Sequence, residues 1–140
     1  MTAVLDADVL IGALDSSDAH HSRARRLFVS WERRSEVRLL SVVNLSEVLV
    51  APAADRRRLG AAREAIGALG ITIHQPSEAI GVEAARLRSR YPISLPDAYC
   101  LATARHTNAR VVSFDEKVRR AAEREGLATI EPGARRQRPH

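Results

Sequence analysis

Short apolar runs alternate along this chain with longer segments in which apolar residues recur at helical spacing. The short runs predict strands at residues 3–5, 37–40, 71–74, 110–113 and 127–130. The longer segments predict helices at residues 9–14, 19–33, 42–50, 55–69, 77–90, 96–106 and 115–124. Strands that alternate with helices indicate an α/β domain with a mainly parallel sheet. In such sheets, ligands bind beyond the carboxyl ends of the strands.

Four acidic residues stand where apolar segments meet turns or helix starts: Asp6, Glu47, Asp97 and Asp115. An ionised carboxylate loses its hydration when it is buried, so a buried acid needs a partner. Two carboxylates about 4 Å apart repel each other by roughly 4 kcal/mol at an effective dielectric constant of 20. A cluster of such acids is therefore best explained by a hard divalent cation, which binds oxygen ligands.

Three of the four acids also have a purely structural interpretation. Asp115 is placed to cap the helix that follows it, and the sequence 113–116 fits a capping box. Asp97 lies in the first turn of a helix, where the helix dipole favours an acid. The side chain of Glu47 is long enough to extend its carboxylate into solvent. Glu47 shares a helix face with Val43 and Val50, however, and we expect that face to be buried, so an acid on it needs a partner. For Asp6 the sequence offers no obvious local role.

The segments that contain these acids resemble, in order and spacing, the motifs of PIN-domain ribonucleases, and in particular the VapC toxins of bacterial toxin–antitoxin pairs. The matching segments are residues 4–11, 44–48, 95–98 and 111–115. The resemblance covers residues 2 to 130 and implies a three-layer α/β/α sandwich around a short, mainly parallel sheet. It implies a PIN-like nuclease domain at residues 1–131. Residues 132–140 are polar and basic, which predicts a disordered tail.

The resemblance also implies an activity, which is endonucleolytic cleavage of RNA that depends on Mg²⁺ or Mn²⁺. The implied partners are the RNA substrate, a second copy of the chain in a homodimer, and a VapB-like antitoxin whose C-terminal segment covers the active site.

Carried over by position, the catalytic residues are Asp6, Glu47, Asp97 and Asp115. We assign Asp6, Asp97 and Asp115 to metal coordination, and Glu47 to orienting a water molecule or assisting proton transfer. Asp8 stands where the family often has Ser, Thr or Asn, so its carboxylate is a further candidate ligand. Glu47 is another candidate ligand. Asn44 and Ser113 are candidates for supporting contacts to these residues or to phosphate.

Composition fits one soluble domain of 140 residues, with 45% hydrophobic and 28% charged residues. No apolar stretch is long enough for a membrane span, and the N-terminus lacks the pattern of a signal peptide. The single cysteine, Cys100, cannot form an intrachain disulfide, so we expect a cytoplasmic location and a core position for this residue.

The net charge is +5, and all basic residues except Lys117 are arginines. Arginine binds phosphate through paired hydrogen bonds, but a GC-rich genome would also favour it. The arginines of residues 23–26 and of residues 86–90 are candidates to contact RNA, a partner protein or only solvent. We expect His20 and His21 to lie in a solvated helix start, because no metal-binding histidine spacing is present.

Two alternatives remain open at this point. Asp6-Ala7-Asp8 after a strand also fits a haloacid-dehalogenase-like phosphatase, in which Asp6 is the nucleophile and Asp8 the acid or base. That chemistry needs a lysine before the late acidic motif, and Lys117 follows Asp115 instead. The other alternative is a PIN module that binds without catalysing.

Overall fold

The computed structural model describes residues 1–130, which form one five-stranded sheet with helices on both faces. The strands are β1 (Thr2–Leu5), β2 (Val37–Ser41), β3 (Ile71–His74), β4 (Arg110–Val112) and β5 (Thr129–Ile130). The helices are α1 (Ala7–Leu14), α2 (His21–Arg34), α3 (Val42–Leu49), α4 (Arg56–Ala68), α5 (Glu78–Arg90), α6 (Leu95–Thr107) and α7 (Glu116–Arg124), with a short 3₁₀ turn at Pro52–Ala54.

The strands lie in the order β3-β2-β1-β4-β5, and every neighbouring pair is parallel. All five carboxyl ends therefore meet at one edge of the sheet. The central strand β1 is buried on both faces, which explains why its sequence is a continuous apolar run rather than an alternating one. The predicted three-layer α/β/α fold with a mainly parallel sheet is confirmed.

Two separate apolar clusters fill the space above and below the sheet. Successive strand residues point to opposite faces, so Val4 belongs to one cluster and Leu5 to the other. The first cluster joins the sheet to α5, α6 and α7, and the second joins it to α1, α2, α3 and α4. Each helix layer is thus attached to the sheet through its own core.

The observed elements differ from the predicted ones mainly at their ends. Helix α1 begins at Ala7 rather than at residue 9, because Asp6 acts as its N-cap. Strand β5 is shorter than predicted, because Leu127 closes α7 by donating its N–H to Ala122 O and packs against the first cluster. The predicted tail, residues 132–140, and the end of the predicted domain at residue 131 lie outside the described part of the chain.

Helix α6 gives a direct test of the first apolar cluster. Leu101 is completely buried there, whereas Leu95, in the first turn of the same helix, is 49% exposed. Leu101→Ala should lower the free energy of unfolding by about 3 kcal/mol, since it leaves a cavity in a close-packed core. The matched change Leu95→Ala should cost less than about 1 kcal/mol. Urea denaturation measures both, and equal losses would mean that Leu101 does not lie in the core.

Candidate active site

Asp6 follows β1 directly and lies at the carboxyl edge of the sheet, beside the end of β4. Its Oδ1 accepts a hydrogen bond from Ala7 N at 2.9 Å, and its Oδ2 accepts one from Ser113 Oγ at 2.8 Å. Its backbone N–H donates to Val112 O at 2.9 Å, which fixes it against the end of β4. The helix cap is a local role that the sequence did not predict for this residue.

Burial, followed by the charges of Asp8 and Asp97, raises the pKa of Asp6 well above its usual range. The hydrogen bonds from Ser113 and Ala7 act in the opposite direction, because they favour the ionised form. The balance shows that the ionised form of this carboxyl is strongly disfavoured without a positive partner.

Asp8 lies in the first turn of α1 and points toward the loop after β4. Its Oδ2 accepts hydrogen bonds from Phe114 N at 3.0 Å and from Ser113 Oγ at 3.4 Å. Its Oδ1 is buried and has no hydrogen-bond partner within the described residues. Burial and the nearby charges of Asp115 and Asp97 raise the pKa of Asp8 to about 6, although the Phe114 N–H opposes this.

Asp97 belongs to a capping box at the start of α6. Its Oδ2 accepts from Ser94 N at 3.1 Å, and Ser94 Oγ accepts from Asp97 N at 3.2 Å. The charge of Asp97 raises the pKa of Asp6, Asp8 and Glu47. This residue is therefore both a structural cap and the acid that acts on carboxylates from two other helices.

Glu47 lies on α3 and faces the start of α6. Asn44 Nδ2 donates to Glu47 Oε1 at 3.2 Å and to Pro96 O at 3.1 Å, so one buried amide joins the two helices. Burial first, and the charge of Asp97 second, raise the pKa of Glu47. The remaining oxygen of the amide, Asn44 Oδ1, is buried without a partner in residues 1–130.

The expectation that Glu47 shares a buried face with Val43 and Val50 is wrong. Val50 is 72% exposed, and the buried residues of α3 are Asn44 and Val48. Val50 is the C-cap that follows Leu49, the last residue of α3, and Val43 is only half-buried. Glu47 is half-buried because it borders the acidic site and not because it lies on the core face of its helix.

Asp115 caps α7 from the loop that follows β4. It accepts from Lys117 N at 2.8 Å, and its own N–H donates to Ser113 Oγ at 3.0 Å. The hydroxyl of Ser113 therefore accepts from Asp115 while it donates to Asp6. Because the charge of Asp115 raises the pKa of Asp8, this exposed acid also acts on the cluster.

The structure thus places Asp6, Asp8, Glu47, Asp97 and Asp115 around one edge of the sheet. Within residues 1–130, no three His, Cys, Asp or Glu side chains already form a set that could hold a metal ion as they stand. Several of the carboxylates accept backbone N–H groups instead. Metal binding therefore requires some of these side chains to turn toward a common ion.

The donor set nevertheless fits a hard divalent cation. All candidate ligands are carboxylate or amide oxygens, which Mg²⁺ and Mn²⁺ prefer. Two of these oxygens, Asp8 Oδ1 and Asn44 Oδ1, are buried without hydrogen bonds in the described part of the chain. A bound cation would offset the repulsion that raises the pKa values of Asp6 and Asp8.

Three residues near the site were not predicted from the sequence. His20 was expected in a solvated helix start, but its ring stacks on Phe114 with 4.3 Å between ring centroids. Arg23 Cζ lies 5.2 Å from the same Phe114 centroid. Arg119 Nη1 donates to Ser113 O at 3.0 Å, and its position one turn after Asp115 was the only sequence signal for any of these contacts.

The other histidine and the cysteine have structural roles. His21 is half-buried, and its Nδ1 forms a 2.8 Å hydrogen bond with Gly12 O, so it is not simply solvated. Cys100 is completely buried in the first apolar cluster, as expected for a small core residue.

The PIN domain family model matches residues 3–124. This chain belongs to the PIN-domain family. The earlier resemblance to PIN domains is confirmed, and the haloacid-dehalogenase-like alternative, with Asp6 as nucleophile, is set aside. No curated protein sequence matches the chain significantly.

Solved structures with the same PIN fold include proteins of toxin–antitoxin pairs. A toxin–antitoxin complex from Klebsiella pneumoniae is 25% identical, with a TM-score of 0.72 over 93% of this chain and 97% of that chain. FitAcB from Neisseria gonorrhoeae is 20% identical, with a TM-score of 0.70 over 95% and 99% of the two chains. VapC20 from Mycobacterium tuberculosis, a toxin that cleaves the sarcin–ricin loop, is 19% identical, with a TM-score of 0.70 over 85% and 94%.

The raised pKa of Asp8 predicts a stability effect in this PIN domain. A folded-state pKa above the ordinary value of 3.8 favours folding while Asp8 is protonated, and this contribution is lost as the pH rises to about 6. In EDTA, Asp8→Asn should therefore raise the free energy of unfolding at about pH 7.5 by on the order of 3 kcal/mol, since the pKa rises from 3.8 to about 6 and each pKa unit is about 1.4 kcal/mol. The gain should vanish at about pH 4.

The matched control is Asp55→Asn, because Asp55 is an exposed N-cap of α4 and asparagine caps equally well. Thermal unfolding with and without saturating MgCl₂ measures both variants. Mg²⁺ should stabilise the unmodified protein more at about pH 7.5 than at about pH 5, because protons compete with the cation for the carboxylates. A gain for Asp8→Asn that is the same at all pH values would contradict the interpretation.

Proposed function

We propose that this PIN domain is a Mg²⁺- or Mn²⁺-dependent endoribonuclease, acting as the VapC-like toxin of a toxin–antitoxin pair. The observation that carries the proposal is the meeting of five acids from different elements at the carboxyl edge of the sheet. Their mutual effects on pKa show that they lie near one another, and their oxygens suit a hard cation.

The residues that would hold the cation are Asp6, Asp97 and Asp115, with Asp8 and Glu47 as further ligands. When bound, the cation would lower the pKa of a water molecule and offset negative charge on the phosphate. The raised pKa of Glu47 suits it to accept a proton from the attacking water, and Asn44 orients its carboxylate through Oε1. Water adds to phosphorus, and the bond from phosphorus to the leaving ribose oxygen breaks.

Asp97 offers the sharpest test of the proposed activity. Asp97→Asn keeps an oxygen that can accept from Ser94 N, so the cap of α6 should survive. RNA cleavage with Mn²⁺ should nevertheless fall by at least about 100-fold, since a negatively charged ligand is lost. Mapping of cleavage products from total RNA measures the effect.

The control is Glu78→Gln, which removes an acid from the first turn of the neighbouring helix α5 and should leave cleavage unchanged. Full activity of Asp97→Asn would remove Asp97 from the catalytic site. Absence of Mg²⁺ and Mn²⁺ binding in calorimetric titration of the unmodified protein would instead support the non-catalytic PIN module.

The proposed antitoxin has a suitable docking place beside Glu47. A cavity of about 600 Å³ between α1, α3 and α4 is lined mainly by apolar side chains, including Ile11, Leu14, Val48 and Pro52. A peptide in this groove would lie next to the acidic site. The family resemblance also supports a homodimer, and the buried, unpaired Cys100 is compatible with a reducing cytoplasm. Among residues 1–130, none of the helices is long and apolar enough to span a membrane.

This docking place can be tested separately from catalysis. Ala61 lines the groove, whereas Ala68 lies exposed on the same helix outside it. With the product of a small upstream open reading frame as the expected antitoxin, Ala61→Arg should prevent inhibition because its side chain fills the groove. Ala68→Arg should be inhibited normally, and both variants should cleave RNA when the antitoxin is absent. Normal inhibition of Ala61→Arg would place the antitoxin elsewhere.

A further inference from the structure

Helix α2 carries a line of arginines on its outward side, which we call the α2 arginine stripe: Arg23, Arg26, Arg33 and Arg34. The spacing of seven residues places Arg26 and Arg33 on the side away from the buried residues Ala24, Phe28 and Trp31, and Arg23 and Arg34 lie on the flank of that side. Arg26, Arg33 and Arg34 are exposed, and Arg23 is half-buried.

The stripe is not neutralised by acidic side chains. All ion pairs within residues 1–130 involve other arginines, namely Arg86, Arg90, Arg105, Arg110 and Arg120. Arg86 contacts both Glu83 and Glu125, and Arg90 also pairs with Glu125, so two of the three candidate arginines at residues 86–90 are already paired. The stripe instead borders a shallow depression of about 490 Å³ whose charged lining residues are all arginines.

The stripe begins at the acidic site. Arg23, His20 and Phe114 contact one another. Arg23 lies over the ring of Phe114 and its Nη2 donates to His20 Nδ1. The ring of His20 stacks on the ring of Phe114. Because arginine can only donate, His20 Nδ1 is the acceptor of this hydrogen bond. Phe114 in turn donates its N–H to Asp8 and precedes Asp115.

The direction of α2 carries the stripe away from that site. Since α2 leads into β2 and the strands are parallel, the helix runs from the carboxyl edge of the sheet toward its amino edge. At 1.5 Å per residue, Arg23 and Arg33 are separated by about 15 Å along the axis. This length corresponds to about four phosphates of a strand with an axial spacing of roughly 3.4 Å.

A polyanion that reaches the acidic site needs such positive charge close by. The five carboxylates repel phosphate, and a cation bound among them offsets that charge only at the scissile position. Positively charged side chains beside the acidic site must therefore bind the phosphates that flank the scissile one. Of the surfaces that adjoin the cluster through described contacts, the stripe supplies unpaired arginines in a line.

We propose that the α2 arginine stripe binds the phosphate backbone of the RNA strand on one side of the scissile phosphate. The proposal rests on the proposed ribonuclease function and adds to it the path of the substrate. The His20–Phe114 stack joins this path to the acidic site. Arg26, Arg33 and Arg34 then contribute affinity for long RNA and take no part in the chemistry.

The test compares two triple variants that remove the same charge. One is Arg26→Gln, Arg33→Gln and Arg34→Gln in the stripe, and the other is Arg56→Gln, Arg57→Gln and Arg63→Gln on α4, where all three arginines are also exposed. RNA binding is measured in the Asp97→Asn background so that the strand stays intact. Cleavage of long RNA and of the minimal phosphodiester bis(p-nitrophenyl) phosphate is measured in the Asp97 background.

The unmodified protein should lose RNA affinity steeply between about 50 and 200 mM salt. The stripe variant loses three phosphate contacts, so the fold-decrease in its RNA affinity over this salt range should be roughly 20 times smaller. The α4 variant should show the same fold-decrease in affinity as the unmodified protein. The stripe variant should show a raised KM for long RNA, with unchanged kcat and unchanged hydrolysis of the minimal substrate.

Three results would overturn the inference. Equal salt dependence in the two triple variants would mean that the charges of α2 are not special. A fall in hydrolysis of the minimal substrate would mean that the stripe supports the site itself. A change in oligomeric state by analytical ultracentrifugation, with normal RNA affinity, would make the stripe a protein interface. If the unmodified protein cleaves no RNA, the proposed function fails first and separately.

Discussion

Repulsion among carboxylates at the carboxyl edge of the sheet is the constraint on which this site depends. The fold brings Asp6 and Asp8 together with Asp97, and burial removes the water that would screen their charges. Such an arrangement lowers the stability of the protein at neutral pH unless a cation is bound. It persists because strong local interactions hold each acid in place: β1 and β4 fix Asp6, and a capping box fixes Asp97.

The parallel sheet explains how a short domain assembles this site from distant parts of its sequence. Asp6 and Ser113 are 107 residues apart, yet β1 and β4 are neighbours and end at the same level. Asn44 extends the same logic to the helices, since its amide contacts Glu47 on its own helix and Pro96 at the start of another. The site thus depends on both apolar clusters, one on each face of the sheet.

The sequence predicted the fold class, the strand positions and the edge at which the acids meet, because short buried strands and capped helices leave strong local signals. It also singled out Asp6, Asp97 and Asp115 as candidate site residues by their places after strands or at a helix start, and their role stays a prediction. It did not predict the half-buried state of Glu47, because the apolar pattern predicts a helix to residue 50 and α3 ends at Leu49. The stack of His20 on Phe114 joins residues far apart in the chain, and no local pattern encodes such a contact.

Helix capping by the acidic residues is compatible with the functional interpretation of the same side chains. Asp6, Asp97 and Asp115 all cap or begin helices, as the structural interpretation requires. A carboxylate has two oxygens and several lone pairs, so a cap through one backbone N–H leaves capacity for a second partner. Helix capping therefore positions these acids and does not compete with a role in binding a cation.

The chain order of the acids has a consequence for synthesis on the ribosome. Asp6 and Asp8 emerge first, but Asp97 and Asp115 are in the last third of the described chain, and β4 inserts beside β1 only after residue 112 has been made. Domains begin to fold from the N-terminal side during translation. A nascent chain that has formed α1 to α4 therefore still lacks two of the five carboxylates. The complete cluster arises only after residue 115 has been made, so a product truncated before that residue carries no assembled site.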